Sequence, residues 1–543
     1  MSDRKPDKLQ VFQSHTSAIE ALLRLRANEH PKAVWLKWKD DEFSWEQTIS
    51  NIQKVANGLL ETGVLPGDRV AIMMHNCPEF LWSWFALSFI NAQPVPINTS
   101  QRGVTLQHIL DDSAAVTAIV SDDLYPAAES VLQQCPSMRC CVILGETPRS
   151  NGTRTIKISD FEQLISAPDK KPDPAEFIEG KNWNPSEGGG GIMYTSGTTG
   201  PPKGVVSKGF DPMPLLELLQ ALEIKAGETI YTSLPLFHGN ALFISTIGSI
   251  LLDGKLALGE RFSASKFFDQ CRRYDAVEFN ALGGMISILL KQPKSATDTD
   301  NPVRTVLSAG CPPDRWLEFE KRFDVKIIEF YGMIDAPGLL LNKDGKIGAM
   351  GKPLGGVEFQ VVDNNDDPIP KTAIGELVFR HPKGQTSYYH NRPDATEEAY
   401  RNGWFHTGDL AMQDEDGFFY YKGRKKESMR RLGENISAWE IETVINAHPK
   451  VVESAAVAVP SELGEDEVKL LVIPKQGENP TPEELIDFCQ GKMAHHAIPR
   501  YIEFVDELPK TATQRIEYQS LREQGITPQT WDRIKANYII DKV

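Results

Sequence analysis

Gly188-Gly189-Gly190-Gly191-Ile192-Met193-Tyr194-Thr195-Ser196-Gly197-Thr198-Thr199-Gly200-Pro201-Pro202-Lys203-Gly204 is the stretch around which the chain is organised. Four glycines lead into a short apolar run, Ile192 to Tyr194, that reads as a buried strand. Hydroxyls at Thr195, Ser196, Thr198 and Thr199 then alternate with Gly197, Gly200 and Gly204, and one lysine follows at Lys203. Glycine lets backbone N–H groups approach a ligand with no Cβ in the way. Successive N–H groups make an anion-binding concavity, to which hydroxyls add donors. A chain of phosphates is the ligand that fits. A P-loop of the G-x-x-x-x-G-K-[ST] kind is excluded, because Pro201-Pro202 precede Lys203 and Gly204 follows it. No hydroxyl there holds magnesium, and the prolines oppose a helix start. A flexible linker is a poor alternative, since linkers rarely join a buried strand, a rigid Pro-Pro and a lysine.

The totals set bounds. A chain of 543 residues predicts three or four structural units. Its 41% hydrophobic and 24% charged residues are ordinary for a soluble enzyme. A net charge of −16 opposes a general nucleic-acid surface. The seven cysteines contain no C-x-x-C and include the adjacent Cys140-Cys141, which is neither a usual disulfide nor a zinc pattern. The first residues have no apolar core, and the run Phe80 to Ile90 is shorter than the ~20 residues a membrane span needs. A cytoplasmic protein without a transmembrane segment is expected.

Along the chain, Ser17-x-x-Glu20 and Ser44-x-x-Gln47 read as capping boxes. Apolar positions at helical spacing from Ile49 to Leu60 follow the second, and Gly63 ends that helix. Strands at 69–74, 116–120 and 139–144 alternate with helices near 78–92, 105–112 and 122–134, a pattern of βαβ units and a mainly parallel sheet. Residues 145–187 are polar and rich in Pro, Asp and Lys, and read as a surface connection. The last hundred residues alternate strands at 454–459, 468–473 and 501–505 with helices at 438–447 and 482–493.

The glycine-hydroxyl loop resembles the signature of the adenylate-forming (AMP-binding) superfamily, which includes the acyl-CoA synthetases. The likeness runs from about residue 15 to 535. Gly433-Glu434-Asn435-Ile436-Ser437 makes it most similar to the carnitine-CoA ligase-like acyl-CoA synthetases. The resemblance implies an α/β fold: a large N-terminal domain (1–424) of parallel-sheet βα layers with a β-barrel-like subdomain, a hinge at 425–427, and a small mobile α+β lid (428–543). It implies an ATP-dependent acid–thiol ligase whose partners are a carboxylic acid, ATP and coenzyme A, with Mg2+ as metal. Homo-oligomer formation stays open.

The same resemblance assigns residues. Thr195, Ser196, Gly197, Thr198, Thr199, Gly200 and Lys203 would hold phosphates. His238, after Leu234-Pro235-Leu236, would sit near the carboxylate and the thiol entrance, although a lone histidine is more often structural. Ala309, Gly310 and Cys311, a small-residue turn, would line the adenine and acyl sites. In Glu329-Phe330-Tyr331-Gly332-Met333-Ile334-Asp335 the tyrosine would stack on adenine beside Gly332. Relatives carry Thr-Glu where this chain has Ile334-Asp335. Asp335 remains a hard ligand for magnesium, with Thr195 beside it, but Ile334 donates no hydrogen bond. Asp409 in Gly403-Trp404-Phe405-His406-Thr407-Gly408-Asp409 and Arg424 would grip the ribose, and an ionised carboxylate is a pure acceptor suited to two hydroxyls. Lys426 stands at the hinge. Gly433 would approach the pantetheine arm, and Arg430 and Arg431 are either phosphate contacts or solvated cations. Gly283-Gly284 replaces a proline-bearing segment, and leaves two readings open: an enlarged acyl pocket or a flexible segment.

Two alternatives follow from the departures. One is a nucleotide- or acyl-adenylate-binding protein with weak or lost catalysis. The other is an adenylating enzyme with a non-CoA acceptor. Relatives have Gly-Lys where this chain has Gln514-Arg515. A guanidinium is a wide planar fork and an ammonium a compact charge, so the exchange is not conservative. If the arginine is a handicap to an otherwise competent site, Arg515→Lys raises the rate of ATP–pyrophosphate exchange. A lower rate would mean that the site is built around the guanidinium.

Overall fold

The computed structural model describes residues 15–146, 156–173, 191–195, 201–208, 212–424, 429–436, 438–462, 464–509 and 516–540. Two sheets with parallel cores form the body. The larger has nine strands in the order Lys352–Pro353, Leu340–Asn342, Lys326–Tyr331, Thr305–Ala309, Ala276–Leu282, Thr229–Thr232, Lys255–Leu258, Val34–Trp38, Asp41–Ser44. Its six central strands are parallel, and the outer ones pair antiparallel. The smaller sheet, Gln93–Pro96, Arg69–Met73, Thr117–Ser121, Cys140–Leu144 and Lys157–Asp160, is wholly parallel. Strands covered on both faces carry continuous apolar runs such as Cys140-Cys141-Val142-Ile143, all buried. The cysteines are buried or half-buried and form no disulfide, consistent with the spacing.

Helix signals translate locally. Ser44 accepts from the Gln47 N–H and Gln47 answers to the Ser44 N–H, so the capping box opens the helix Trp45–Glu61. Gly63, at φ +94, continues the chain away from it. The Ser17 signal is different: the helix begins at His15, which puts Ser17 inside it. The polar connection after residue 145 also contains ordered structure, the strand Lys157–Asp160 and the helix Phe161–Ile165, whose Phe161 and Leu164 are buried. Alternating exposure masked that strand in a charged context.

The barrel-like subdomain is an antiparallel sheet of Glu358–Val362, Ile374–Arg380, Trp404–Gln413, Phe419–Arg424 and Tyr400–Arg401. The C-terminal unit is α+β as expected, with strands Val451–Pro460, Asp466–Pro474, Tyr501–Phe504 and Trp531–Asp532 packed on helices Ala438–Asn446 and Pro482–Cys489. The second helix is shorter than its pattern predicts, because Gly491 turns the chain at φ +72. Among the described residues no helix is long and apolar enough to cross a membrane.

Several core residues break the apolar rule, Glu278 among them. Glu278, in the strand Ala276–Leu282, is 0% exposed, and burial holds its carboxyl well above the usual range against the opposing Leu307 N–H. A carboxyl raised in the folded state stabilises below its unfolded pKa, and that contribution is lost as pH rises. Glu278→Met is therefore expected to raise the melting temperature at pH 8 by roughly 2–4 °C, and the difference from wild type narrows toward pH 5. Parallel melting curves across pH 5–8 would contradict this.

Candidate active site

The strand ends of the larger sheet build one wall of the site. Thr305–Ala309 delivers Ala309-Gly310-Cys311, Lys326–Tyr331 delivers Tyr331-Gly332, and Ala276–Leu282 delivers Gly283-Gly284. Ligand crevices of parallel sheets lie beyond these carboxyl ends. A cavity of about 840 Å3 opens there, lined by Thr195, His238, Ala309, Gly332, Gly433 and Glu434 among others.

Thr195 closes the strand Ile192–Thr195, which pairs antiparallel with Lys203–Ser207. Thr195 and Lys203 are direct partners in that register, so the two ends of the glycine-hydroxyl loop are held side by side. The Tyr194 hydroxyl donates to Asp112 at 2.6 Å and fixes the first strand. Gly204 is needed because a Cβ would come within 2.7 Å of Ile192 and 3.0 Å of the Tyr194 ring. Ser196, Gly197, Thr198, Thr199 and Gly200 lie outside the described residues, as do Lys426, the 425–427 hinge and Arg515.

The loop's anchors meet the sheet through Asp335. Its Oδ1 accepts from the Tyr389 hydroxyl at 2.8 Å, and the Thr195 hydroxyl lies 3.5 Å away. The Lys203 ammonium sits 4.7 Å above the Tyr389 ring, a cation–π contact. Tyr389 was not singled out from sequence. Its only signal was an aromatic pair, Tyr388-Tyr389, preceding the Asn391-Arg392-Pro393 turn. Ile334 packs beside Tyr389 and Val205, and a Cβ on Gly239 would touch it at 3.2 Å.

Four residues before Asp335, the Tyr331 hydroxyl donates to Asp409 Oδ2 at 2.6 Å. Asp409 is 3% exposed, and its strand partner across the antiparallel sheet is Arg424. Thr195 and Gly332, the residue that follows Tyr331, line the same cavity. Glu329 points elsewhere. Its carboxylate accepts the N–H groups of Gly310 and Cys311, and burial drives it up to about 8 against their opposing pull. It shapes the Ala309-Gly310-Cys311 turn from behind.

Gly283-Gly284 forms the first turn of the helix Gly283–Leu290. A Cβ at Gly283 would lie 1.9 Å from the Gly310 carbonyl, and one at Gly284 would lie 2.9 Å from Glu465. Close approach to the Gly310 backbone accounts for Gly283, whereas Gly284 lines the cavity and faces only the end of the Glu465 side chain.

The C-terminal unit closes the cavity. Gly433, at φ +81, donates its N–H to Glu465, and a Cβ there would come 2.9 Å from Leu282. Glu434 reaches His238 Nε2 at 2.9 Å and accepts from Asn98 at 2.9 Å. Although burial opposes it, the facing His238 holds the Glu434 carboxyl down at about 2. Arg431 is spoken for: it pairs with Glu467 at 2.8 Å and donates to the His496 and Ile498 carbonyls. Arg430 remains exposed at the cavity. Among the described residues the one cluster of metal-ligand type is Asp366, Glu376 and His406, but Arg401 already neutralises both of its carboxylates.

Comparisons with known proteins agree with this geometry. The pattern of the AMP-binding enzyme family matches residues 23–389, and that of the AMP-binding enzyme C-terminal domain matches residues 440–515. The chain is similar to crotonobetaine/carnitine--CoA ligase of Salmonella agona (strain SL483), 29% identical over 493 residues, 89% of this chain and 93% of that one. Its fold is similar to o-succinylbenzoate CoA synthetase from Bacillus subtilis bound with a product analogue, at TM-score 0.76 and 22% identity, covering 92% of this chain and 98% of the other. It is also similar to a Mycobacterium tuberculosis fatty acyl CoA synthetase, at TM-score 0.63 and 24% identity, covering 95% of this chain and 99% of the other.

Removing the Tyr389 hydroxyl leaves Asp335 without its shortest contact. Tyr389→Phe is expected to lower kcat/KM for ATP about tenfold, the worth of one hydrogen bond to a charged group, with the melting temperature little changed. Steady-state kinetics beside a melting curve checks both.

Proposed function

The chain belongs to the AMP-binding enzyme family, and from that membership we infer an ATP-dependent acid–thiol ligase. A carboxylic acid attacks the α-phosphate of ATP, pyrophosphate leaves, and the thiol of coenzyme A then displaces AMP from the acyl-adenylate. The observation that carries this reading is the meeting of three parts at one cavity: the phosphate-loop anchor Thr195, the strand ends Ala309 and Gly332 of the larger sheet, and the Gly433-Glu434 loop from the C-terminal unit.

The residue roles proposed are as follows. Backbone N–H groups and hydroxyls of the Thr195–Gly200 loop cradle the phosphates, and Lys203, fixed over Tyr389, adds positive charge. Tyr331 presents its ring to adenine while its hydroxyl steadies Asp409, which accepts from the ribose hydroxyls with Arg424 opposite. Arg515 faces the carboxylate and α-phosphate. Magnesium fits the hard oxygen donors present, the Asp335 carboxylate and the neighbouring Thr195 hydroxyl. Bound there it would neutralise phosphate charge. His238 and Glu434 are hydrogen-bonded at the thiol passage, and rotation of the C-terminal unit about residues 425–427 would make and break that contact. The acid follows the cavity past His238, where Phe243, Ile244, Met285 and Ile288 give apolar walls.

ATP–pyrophosphate exchange over a panel of carboxylic acids tests the first half-reaction, and thioester formation with coenzyme A the second. ATP binding without exchange for any acid would instead favour a nucleotide-binding protein, and exchange without thioester a different acceptor. Gly433→Leu places a side chain against Leu282 and strains a left-handed backbone. It is expected to slow thioester formation roughly 10–100-fold while exchange stays near wild type. Equal loss in both half-reactions would remove the loop from the second step.

A further inference from the structure

Asp409 reaches the cleft because its strand is distorted. The strands Ile374–Arg380 and Trp404–Gln413 pair Glu376 with Leu410 and Val378 with His406, so the single residue Leu377 faces three, Thr407 to Asp409. Extra residues in one strand bend it and re-aim a side chain. Here the bulge is braced from inside. Glu376 Oε1 accepts the Gly408 N–H at 3.2 Å, and Gly408 holds φ +71. The Thr407 hydroxyl donates to the Leu377 carbonyl at 2.6 Å and accepts the Asp409 N–H at 3.0 Å.

Glu376 is itself fixed on its far side. Arg401 donates to Glu376 Oε2 at 3.4 Å and to both Asp366 oxygens, at 2.9 and 3.1 Å. The His406 ring lies between the same carboxylates, 3.4 Å from Glu376 and 3.9 Å from Asp366. Glu376 and His406 are 4% and 8% exposed. The two acids, the guanidinium and the imidazole make a compact group, buried at Glu376 and His406, and one oxygen of it is turned to the bulge.

We propose that Glu376 is a positioning residue of the ribose subsite: through the Gly408 N–H it helps to set where the Asp409 carboxylate stands, and so governs selection for the ribose hydroxyls. Glu376 touches no nucleotide. It acts through Asp409, so the proposal rests on the ribose reading given above.

The test is nucleotide binding by calorimetry, with ATP, 2′-deoxy-ATP and inorganic tripolyphosphate as probes. Wild type is expected to prefer ATP over 2′-deoxy-ATP by about tenfold or more, the worth of a hydroxyl on a carboxylate. Asp409→Ala abolishes that preference. Glu376→Ala brings it to within about threefold by weakening ATP alone, with tripolyphosphate affinity unchanged. Glu376→Gln keeps a carbonyl acceptor for the Gly408 N–H and retains the preference. Should Glu376→Ala fail to fold, Thr407→Val, which removes the other brace, is expected to show the same loss. A wild-type preference that survives in Glu376→Ala, or in Thr407→Val where the alanine variant does not fold, overturns the proposal, as does equal loss in Glu376→Gln and Glu376→Ala. A preference untouched in Asp409→Ala overturns instead the ribose reading beneath it.

Discussion

The Tyr331–Asp409 hydrogen bond joins two sheets that have no strand in common. Tyr331 ends a parallel strand of the larger sheet, and Asp409 stands on the bulge of the antiparallel one. An aromatic ring aimed at a flat ligand and a carboxylate aimed at hydroxyls are useful only at a fixed separation, and a 2.6 Å contact sets it. Four residues on, Asp335 makes the matching link to the hairpin that carries the phosphate loop. The proposed sugar and phosphate subsites would therefore be positioned from one short segment, Tyr331 to Asp335. Fixed donors and acceptors of this kind need no reorganisation when charge develops.

Much of this was legible in the residues because the chemistry is backbone-based. A glycine-hydroxyl loop, small residues at a strand end and Thr-Gly-Asp in a turn all show their geometry in composition. The alternation of strands with helices also located three strands of the smaller parallel sheet to within a residue or two. What stayed hidden depends on distant partners. Nothing near Tyr389 says that its hydroxyl will meet Asp335, 54 positions earlier, or that its ring will lie under Lys203. Glu329 lies in the motif yet serves the turn behind it, a distinction set by side-chain direction. Arg431 and Arg430 are adjacent, and only tertiary packing buries one and leaves the other exposed.

The His238–Glu434 pair shows how the two units communicate. A carboxylate buried against an imidazole is favourable only while the partner is present. Withdrawal of the C-terminal unit would leave both groups to water, where each is well solvated, so neither position traps the molecule. The Asn98 amide, at 2.9 Å, supplies Glu434 with a neutral second donor. A hydrogen bond of this type favours one arrangement modestly and releases it readily.

Gly283 lies where the wall beside the acid meets the turn beside the nucleotide, with its missing Cβ only 1.9 Å from the Gly310 carbonyl. Anyone redesigning this protein for a different acid inherits that junction. Side chains added at 283 would push the purine pocket apart before they reshaped anything else. Directed evolution of specificity would have to work further along the same helix, at Met285 and Ile288, where the cavity can change its contour without disturbing its neighbour.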